Sequence, residues 1–288
     1  MKILAIGEII WDVYPNKKCI GGAPLNFAAH SALLGAEVSL VSAVGSDELG
    51  RSALEYVSDF KIDSSFIKKS EKQTGVCDVT VDERGIPTYN VRTDTAYDNI
   101  YLTDEDAETI NQRSYDLFYF GTLIQRGDSK NALDKILAEC KFNDVFCDLN
   151  LRDGCYGKDS ILTCLENATV LKMSDEEEPL LREMDFYENG INSNEKIAVA
   201  LSESFPNLKI IIITMGERGA FAYRVSDGLC VYKSARRVHV ASTVGAGDSF
   251  CAAFCTELFR GKSLSDAMDS AIELSAFVVS KSEAVPLR

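Results

Sequence analysis

Histidine is nearly absent from this chain: His30 and His239 are the two in 288 residues. Their separation matches no metal-ligating spacing, so zinc chemistry is not expected and both are read as structural. Basic residues are outnumbered, 30 against 44 acidic, for a formal charge of −14. That balance opposes nucleic acid and anionic membrane surfaces as partners. Long apolar runs are missing too. No stretch reaches membrane-spanning length, and residues 1–8 lack the apolar core of a signal peptide. Cysteine is plentiful but unpatterned: nine residues, odd in number, with no C-x-x-C pair. Neither a disulfide framework nor a zinc ribbon is expected, and a reducing, cytoplasmic setting is. The chain also has no G-x-x-x-x-G-K-[ST] phosphate loop, no protein-kinase signature, no repeat and no low-complexity linker.

What remains is ordinary for a globular protein, with 46% hydrophobic and 26% charged residues. The apolar pattern alternates strands with helices. Residues 2–6 form an apolar run closed by Gly7-Glu8, a buried strand whose end delivers polar residues to a surface, Asp12 first. Cys19-Ile20-Gly21-Gly22-Ala23-Pro24 predicts a tight turn into a helix with Asn26 in its first turn. Alone, Gly21-Gly22 is a turn and Asn26 a surface amide; in order, a strand end followed by a helix start lies on the edge of a parallel sheet where ligands bind. Residues 37–44 predict a strand and 47–60 a helix. From 74 to 101 the texture changes to a β-hairpin, either a flap over a site or an added surface sheet. Further strands are expected at 116–120, 145–149, 169–173 and 210–214, separated by helices at 129–140, 157–165, 175–184 and 195–205, which suits a mostly parallel sheet. A hairpin at 220–232 and a final helix at 263–280 complete the chain.

Thr243-Val244-Gly245-Ala246-Gly247-Asp248-Ser249-Phe250 reads as a glycine turn opening a helix. The free N–H groups of such a first turn accept a phosphate or a developing oxyanion. A carboxylate there repels an anion, which makes sense if Asp248 takes a proton from a nucleophile attacking a phosphoryl group. Asp148-Leu149-Asn150-Leu151-Arg152 ends a strand, so Arg152 is either a phosphate-holding guanidinium or a solvated one. Ser174-Asp175-Glu176-Glu177-Glu178 opens a helix, where acids are favoured by the dipole alone or one of them organises water around Mg²⁺. Thr214-Met215-Gly216-Glu217-Arg218-Gly219 is a hairpin turn that, beside Asp248, supplies nucleotide positioning.

Taken together, Gly21-Gly22-Ala23-Pro24-Leu25-Asn26-Phe27-Ala28, Asn150-Leu151-Arg152, Thr214 through Gly219 and Gly245-Ala246-Gly247-Asp248 resemble the ribokinase-like, or PfkB, family of carbohydrate kinases nearly end to end. The resemblance implies a single domain over residues 1–288, a three-layer α/β/α sandwich around a mostly parallel sheet, and a small β lid from about 13–20 and 74–101. It implies phosphoryl transfer from ATP to a sugar hydroxyl with Mg²⁺. Asp248 matches the catalytic base and Gly245, Ala246 and Gly247 the anion hole. Asp12, Gly21, Gly22, Asn26, Asn150 and Arg152 fall on the sugar side, and Lys172, Thr214, Gly216 and Gly219 on the nucleotide side. Glu177 matches the acid that organises the metal through water. Ser242 stands where the family commonly has an aspartate that helps bind a monovalent cation, which leaves K⁺ use open.

Gly7-Glu8-Ile9-Ile10-Trp11-Asp12, Leu171-Lys172-Met173-Ser174 and Ala96-Tyr97-Asp98 look like the fructokinase branch, so fructose is the expected acceptor. Ribose, 2-keto-3-deoxygluconate, a nucleoside or a sugar phosphate are the alternatives within the fold. A catalytically silent sugar-sensing protein is the alternative of another class. Small molecules are the expected partners, with a homodimer through a free lid edge as an option.

Overall fold

The computed structural model describes residues 1–81, 87–188 and 190–287. In chain order the elements are β1 (Lys2–Ile6), β2 (Ile10–Val13), β3 (Lys18–Gly21), α1 (Ala23–Leu33), β4 (Glu37–Gly45), α2 (Glu48–Asp59), β5 (Ile67–Ser70), β6 (Gly75–Val81) and β7 (Pro87–Val91). They continue through α3 (Asp104–Arg113), β8 (Leu117–Gly121), α4 (Ser129–Glu139), β9 (Asp144–Asp148), α5 (Lys158–Asn167), β10 (Val170–Ser174), α6 (Glu178–Glu183) and α7 (Asn194–Ser204). The last are β11 (Ile210–Thr214), β12 (Ala220–Arg224), β13 (Leu229–Lys233), α8 (Ala246–Phe259) and α9 (Leu264–Val279).

Nine strands form one sheet in the order β13-β12-β11-β10-β9-β8-β1-β4-β5. Pairing is parallel from β5 to β11 and antiparallel only where β12 and β13 close the edge. The inner strands are apolar on both faces because both faces are covered. Leu4, Ile6, Phe118, Phe120, Ile211 and Ile213 pack in one core that α4, α5 and α7 cover. Their alternates Ile3, Ala5, Leu117, Tyr119, Ile210 and Ile212 pack in another beneath α1, α8 and α9. This is a three-layer α/β/α sandwich. Its strand order reverses at β1, which pairs with β4 on one side and β8 on the other. Such a reversal opens a crevice at the carboxyl ends of the strands.

A second sheet of four strands, in the order β3-β2-β6-β7, follows the carboxyl end of β1 through residues 7–9. It draws on residues from Ile10 onward, earlier than the expected 13–20, so Asp12 stands on one of its strands, opposite Cys77 in register. Residues 96–99 of the expected second segment form a 3-10 turn. The hairpin turn expected at 82–86, with Arg84, lies outside the described residues. Helix α3 is an element that periodicity does not predict. Its sequence buries only Ala107 and Ile110, and the Thr103–Asp106 capping box marks its start instead. None of the described helices is long and apolar enough to cross a membrane.

Candidate active site

Asp248 is the third residue of α8 and is 9% exposed. Helix α8 starts on Gly245, whose φ of 79° is left-handed and whose Cα abuts the Ala284 carbonyl so closely that a Cβ would stand 2.5 Å from its oxygen. A side chain there would push the loop 281–285 away. His30 holds the same carbonyl from behind, with Nε2 2.9 Å away. The first-turn amides of a helix have no intrahelical acceptor, so Gly247 and Asp248 present N–H groups and the positive dipole end to the crevice.

Asn26 Nδ2 donates to Asp248 Oδ2 at 2.8 Å across 222 residues of sequence, with both side chains buried. This contact joins the two motifs that sequence spacing could only place in order. Asn26 Oδ1 is buried without a partner among the described residues, an acceptor waiting for a donor. Burial pushes the Asp248 carboxyl up to about 6; the Asn26 bond opposes that rise, Asp148 adds to it, and Lys172 and Arg152 oppose it. A base near 6 is ionised at neutral pH yet holds a proton far better than an ordinary aspartate.

Glu8 and Gly22 frame the other wall. Gly22 caps α1 with φ 110°, and a Cβ on it would lie 2.4 Å from the Glu8 carbonyl oxygen. The Glu8 carboxylate accepts from Ala23 N at 2.9 Å, and burial pushes it up to about 7. Asp12 is likewise raised by burial, an effect that Arg152 and the Cys77 thiol offset. Arg152 acts on Glu8, Asp12 and Asp248 alike. Gly21 ends β3 with Asn26 Nδ2 3.9 Å from where its Cβ would be. Asn150, left-handed at φ 41°, lines a small cavity with Glu8, Tyr119 and Asp148. The sugar-side candidates therefore converge.

A cavity of about 740 Å³ runs from Thr214, Gly216 and Gly219 past Val238 and Val240 to Thr243, Ala246 and Gly247 at the start of α8. Ser174, Asp175 and Glu176 line it as well. Lys172, expected on the nucleotide side, is 6% exposed, is not among the residues that line this cavity, and is bonded to Asp148 Oδ1 at 2.9 Å. Glu177 spends both carboxylate oxygens on backbone, accepting from Leu151 N and Ser174 N at 2.6 Å each. It ties the ends of β9 and β10 together. Ser242 Oγ accepts from Val244 N at 3.2 Å, a local turn bond at the position where the family resemblance implies a cation ligand. All nine cysteines are free.

Glu8 and Asp148 are the site groups that residue patterns alone did not single out. Their signal was position: each closes a buried strand or its exit, where an apolar run turns polar. A lone carboxylate at a strand end is so common in turns that register, not pattern, was needed to find them.

A profile of the pfkB family carbohydrate kinases matches residues 5–287. A 5-dehydro-2-deoxygluconokinase of Listeria monocytogenes is 30% identical over 280 residues, covering 93% of this chain and 84% of that protein. Among solved structures, a Xylella fastidiosa fructokinase with bound ATP superposes with a TM-score of 0.82 at 19% identity, over 98% of this chain and 93% of that one. A Vibrio cholerae fructokinase bound to fructose, ADP and calcium ion gives 0.79 at 22% identity, over 99% and 94%. With the Gly245–Asp248 turn at the head of α8 and a family match across nearly its whole length, this chain belongs to the pfkB family carbohydrate kinases.

Proposed function

We propose that the protein is an ATP-dependent kinase that phosphorylates the primary hydroxyl of a neutral keto-sugar, fructose, with Asp248 as general base. The observation that carries this reading is the buried Asn26–Asp248 pair on the first turn of α8, beside the 740 Å³ cavity. Asn26 occupies Oδ2 and leaves Oδ1 of Asp248 to take the proton of the attacking hydroxyl. Asn26 Oδ1 accepts from a neighbouring hydroxyl of the same sugar. The amides of Gly247 and Asp248, with Gly245 and Ala246 shaping the turn, stabilise charge on the transferred phosphoryl group. ATP lies along Thr214, Gly216 and Gly219, and the small sheet acts as a lid that excludes water as a competing acceptor.

Mg²⁺ fits the oxygen donors available. Asp175 and Glu176 line the nucleotide cavity, and among the described residues no group of three or more His, Cys, Asp or Glu side chains forms a metal cage. That suits an ion held mainly by phosphates and water. Glu177, with both oxygens on backbone amides, acts on it through water. Bound with ATP, the ion supplies charge neutralisation to the phosphates.

Charge balance supports a neutral acceptor. Glu8, Asp12 and Asp248 share Arg152, so a sugar acid entering this wall meets three carboxyl groups and one guanidinium. Hydroxyl groups, by contrast, donate to carboxylates. A second reading, a 5-dehydro-2-deoxygluconate acceptor, draws its support from the Listeria monocytogenes relative. An ADP-release screen over fructose, ribose, the two keto-deoxygluconates, nucleosides and sugar phosphates, with and without K⁺, separates them. The expected result is fastest release with fructose. Release confined to an acid moves the acceptor to the second reading, and binding without any release leaves the sensing protein.

A further inference from the structure

Lys172 and Asp148 are directly opposite in the parallel register of β9 and β10. They share parity with Val170 and Phe146, which pack under α8, and not with Leu171, Met173 and Cys147, which pack on the other face. Both side chains thus lie on the sheet surface that α8 covers. Lys172 Nζ is 3.6 Å from where a Cβ on Gly247 would stand. One turn later, Cys251 Sγ is 3.6 Å from Asp148 Oδ2. Asp148 is 1% exposed and Lys172 6%. Two buried charges here cost desolvation that an apolar pair of similar volume would avoid, so the pair is weak support for stability alone.

We propose that the Asp148–Lys172 pair positions charge for the reaction through Asp248: Lys172 holds the base ionised in a dry site, and Asp148 holds Lys172 under Gly247, so the pair sets the pH at which the site becomes competent. This rests on the reading of Asp248 as the base. The groups that act on Asp248 or feel its charge are Asn26 from α1, Asp148 from β9, Lys172 from β10, Arg152 after β9, Glu8 after β1, Tyr119 from β8 and Cys251 from α8 itself. Among the charged groups, Asp148 and Lys172 act on it with opposite sign. Burial would push the Lys172 ammonium down, but Asp148 and Glu177 outweigh it and hold the side chain charged above its usual range. Neither partner needs to touch substrate to act, which makes both positioning residues.

The test is the titration of Asp248 itself, read from the carboxyl ¹³C resonance of aspartate-labelled protein and assigned with Asp248→Asn. In Lys172→Gln the Asp148 charge, no longer countered by Lys172, moves the Asp248 titration up by about one pH unit, and the acidic limb of kcat/KM follows, which is about a tenfold loss well below the limb. Lys172→Arg keeps the charge and restores the native limb. Asp148→Asn moves the titration down. Where one of these variants does not fold, the other decides by its own direction. Where neither folds, the double variant Asp148→Asn/Lys172→Gln titrates below the native protein, because the stronger influence is gone. Titration within a few tenths of native in folded Lys172→Gln and Asp148→Asn overturns the proposal. The resonance needs no turnover, so it stands apart from the fate of the base assignment: a moved titration with an unmoved rate limb upholds the coupling and removes Asp248 as the base.

Discussion

On the proposed sugar side of the site Glu8, Asn26 and Asp248 are nearly sealed, at 4%, 3% and 9% exposure, whereas the proposed nucleotide side ends in Val238 and Val240 at 41% and 58%. The first wall is made of side chains whose charges are costly to bury and whose bonds are few and specific. The second is made of turns, a strand end and the start of α8, with Arg236, Arg237 and Glu217 as well as small residues lining a roomy cavity. A sealed polar wall discriminates through unpaired groups, so one substitution there changes chemistry. An open wall spreads its contacts over many residues and tolerates change.

That contrast orders the expected effects. Asp248→Asn keeps the volume and the Asn26 contact but removes the base; kcat should fall by about three orders of magnitude while the KM for sugar stays within a few-fold, measured by coupled ADP release. Arg152→Gln removes the cation shared by three carboxyls and should raise the sugar KM about tenfold, with the nucleotide KM unchanged. Equal changes in both KM values would blur the line between the walls.

Glu8→Gln keeps the acceptor for Ala23 N and deletes the charge. Glu8 is raised from 4.5 to about 7 in the folded chain, so the native state binds its proton more tightly than the unfolded state does. Stability is therefore greatest below the unfolded value and is lost as pH rises through about 7. The variant should melt higher than the native protein at pH 9, by an amount worth on the order of 3 kcal/mol, with the difference closing by pH 4. No gain at pH 9 would mean that Glu8 is not held in its buried, costly state. Smallest of all, Val240→Ser on the open wall should raise the nucleotide KM two- to three-fold, as expected for one partly exposed apolar contact.

Much of the architecture was legible because doubly covered strands leave continuous apolar runs: Lys2–Ile6, Glu37–Gly45 and Ile210–Thr214 stand out against the polar turns that end them. The short strands Ile10–Val13 and Lys18–Gly21 were not, since a four-residue segment has too few positions to show a period. Helix α3 was hidden by its polar sequence, DEDAETINQR. In the site, the glycine turn before Asp248 and the Asn26 turn each carried a local signal. The 2.8 Å bond between them did not, because it depends on how α1 and α8 pack. Lys172 shows the same limit from the other direction. Its place opposite Asp148 beneath the helix is set by the register of β9 and β10, which the run Val170–Ser174 does not show by itself.

The pH dependence of kcat/KM for the sugar at saturating ATP tests the central claim most directly, that the base is a carboxyl sealed between Asn26 and the Asp148–Lys172 pair. An acidic limb at about 6 is expected, the value to which burial raises Asp248. A profile that stays flat down to the ordinary aspartate range of about 4 would contradict it.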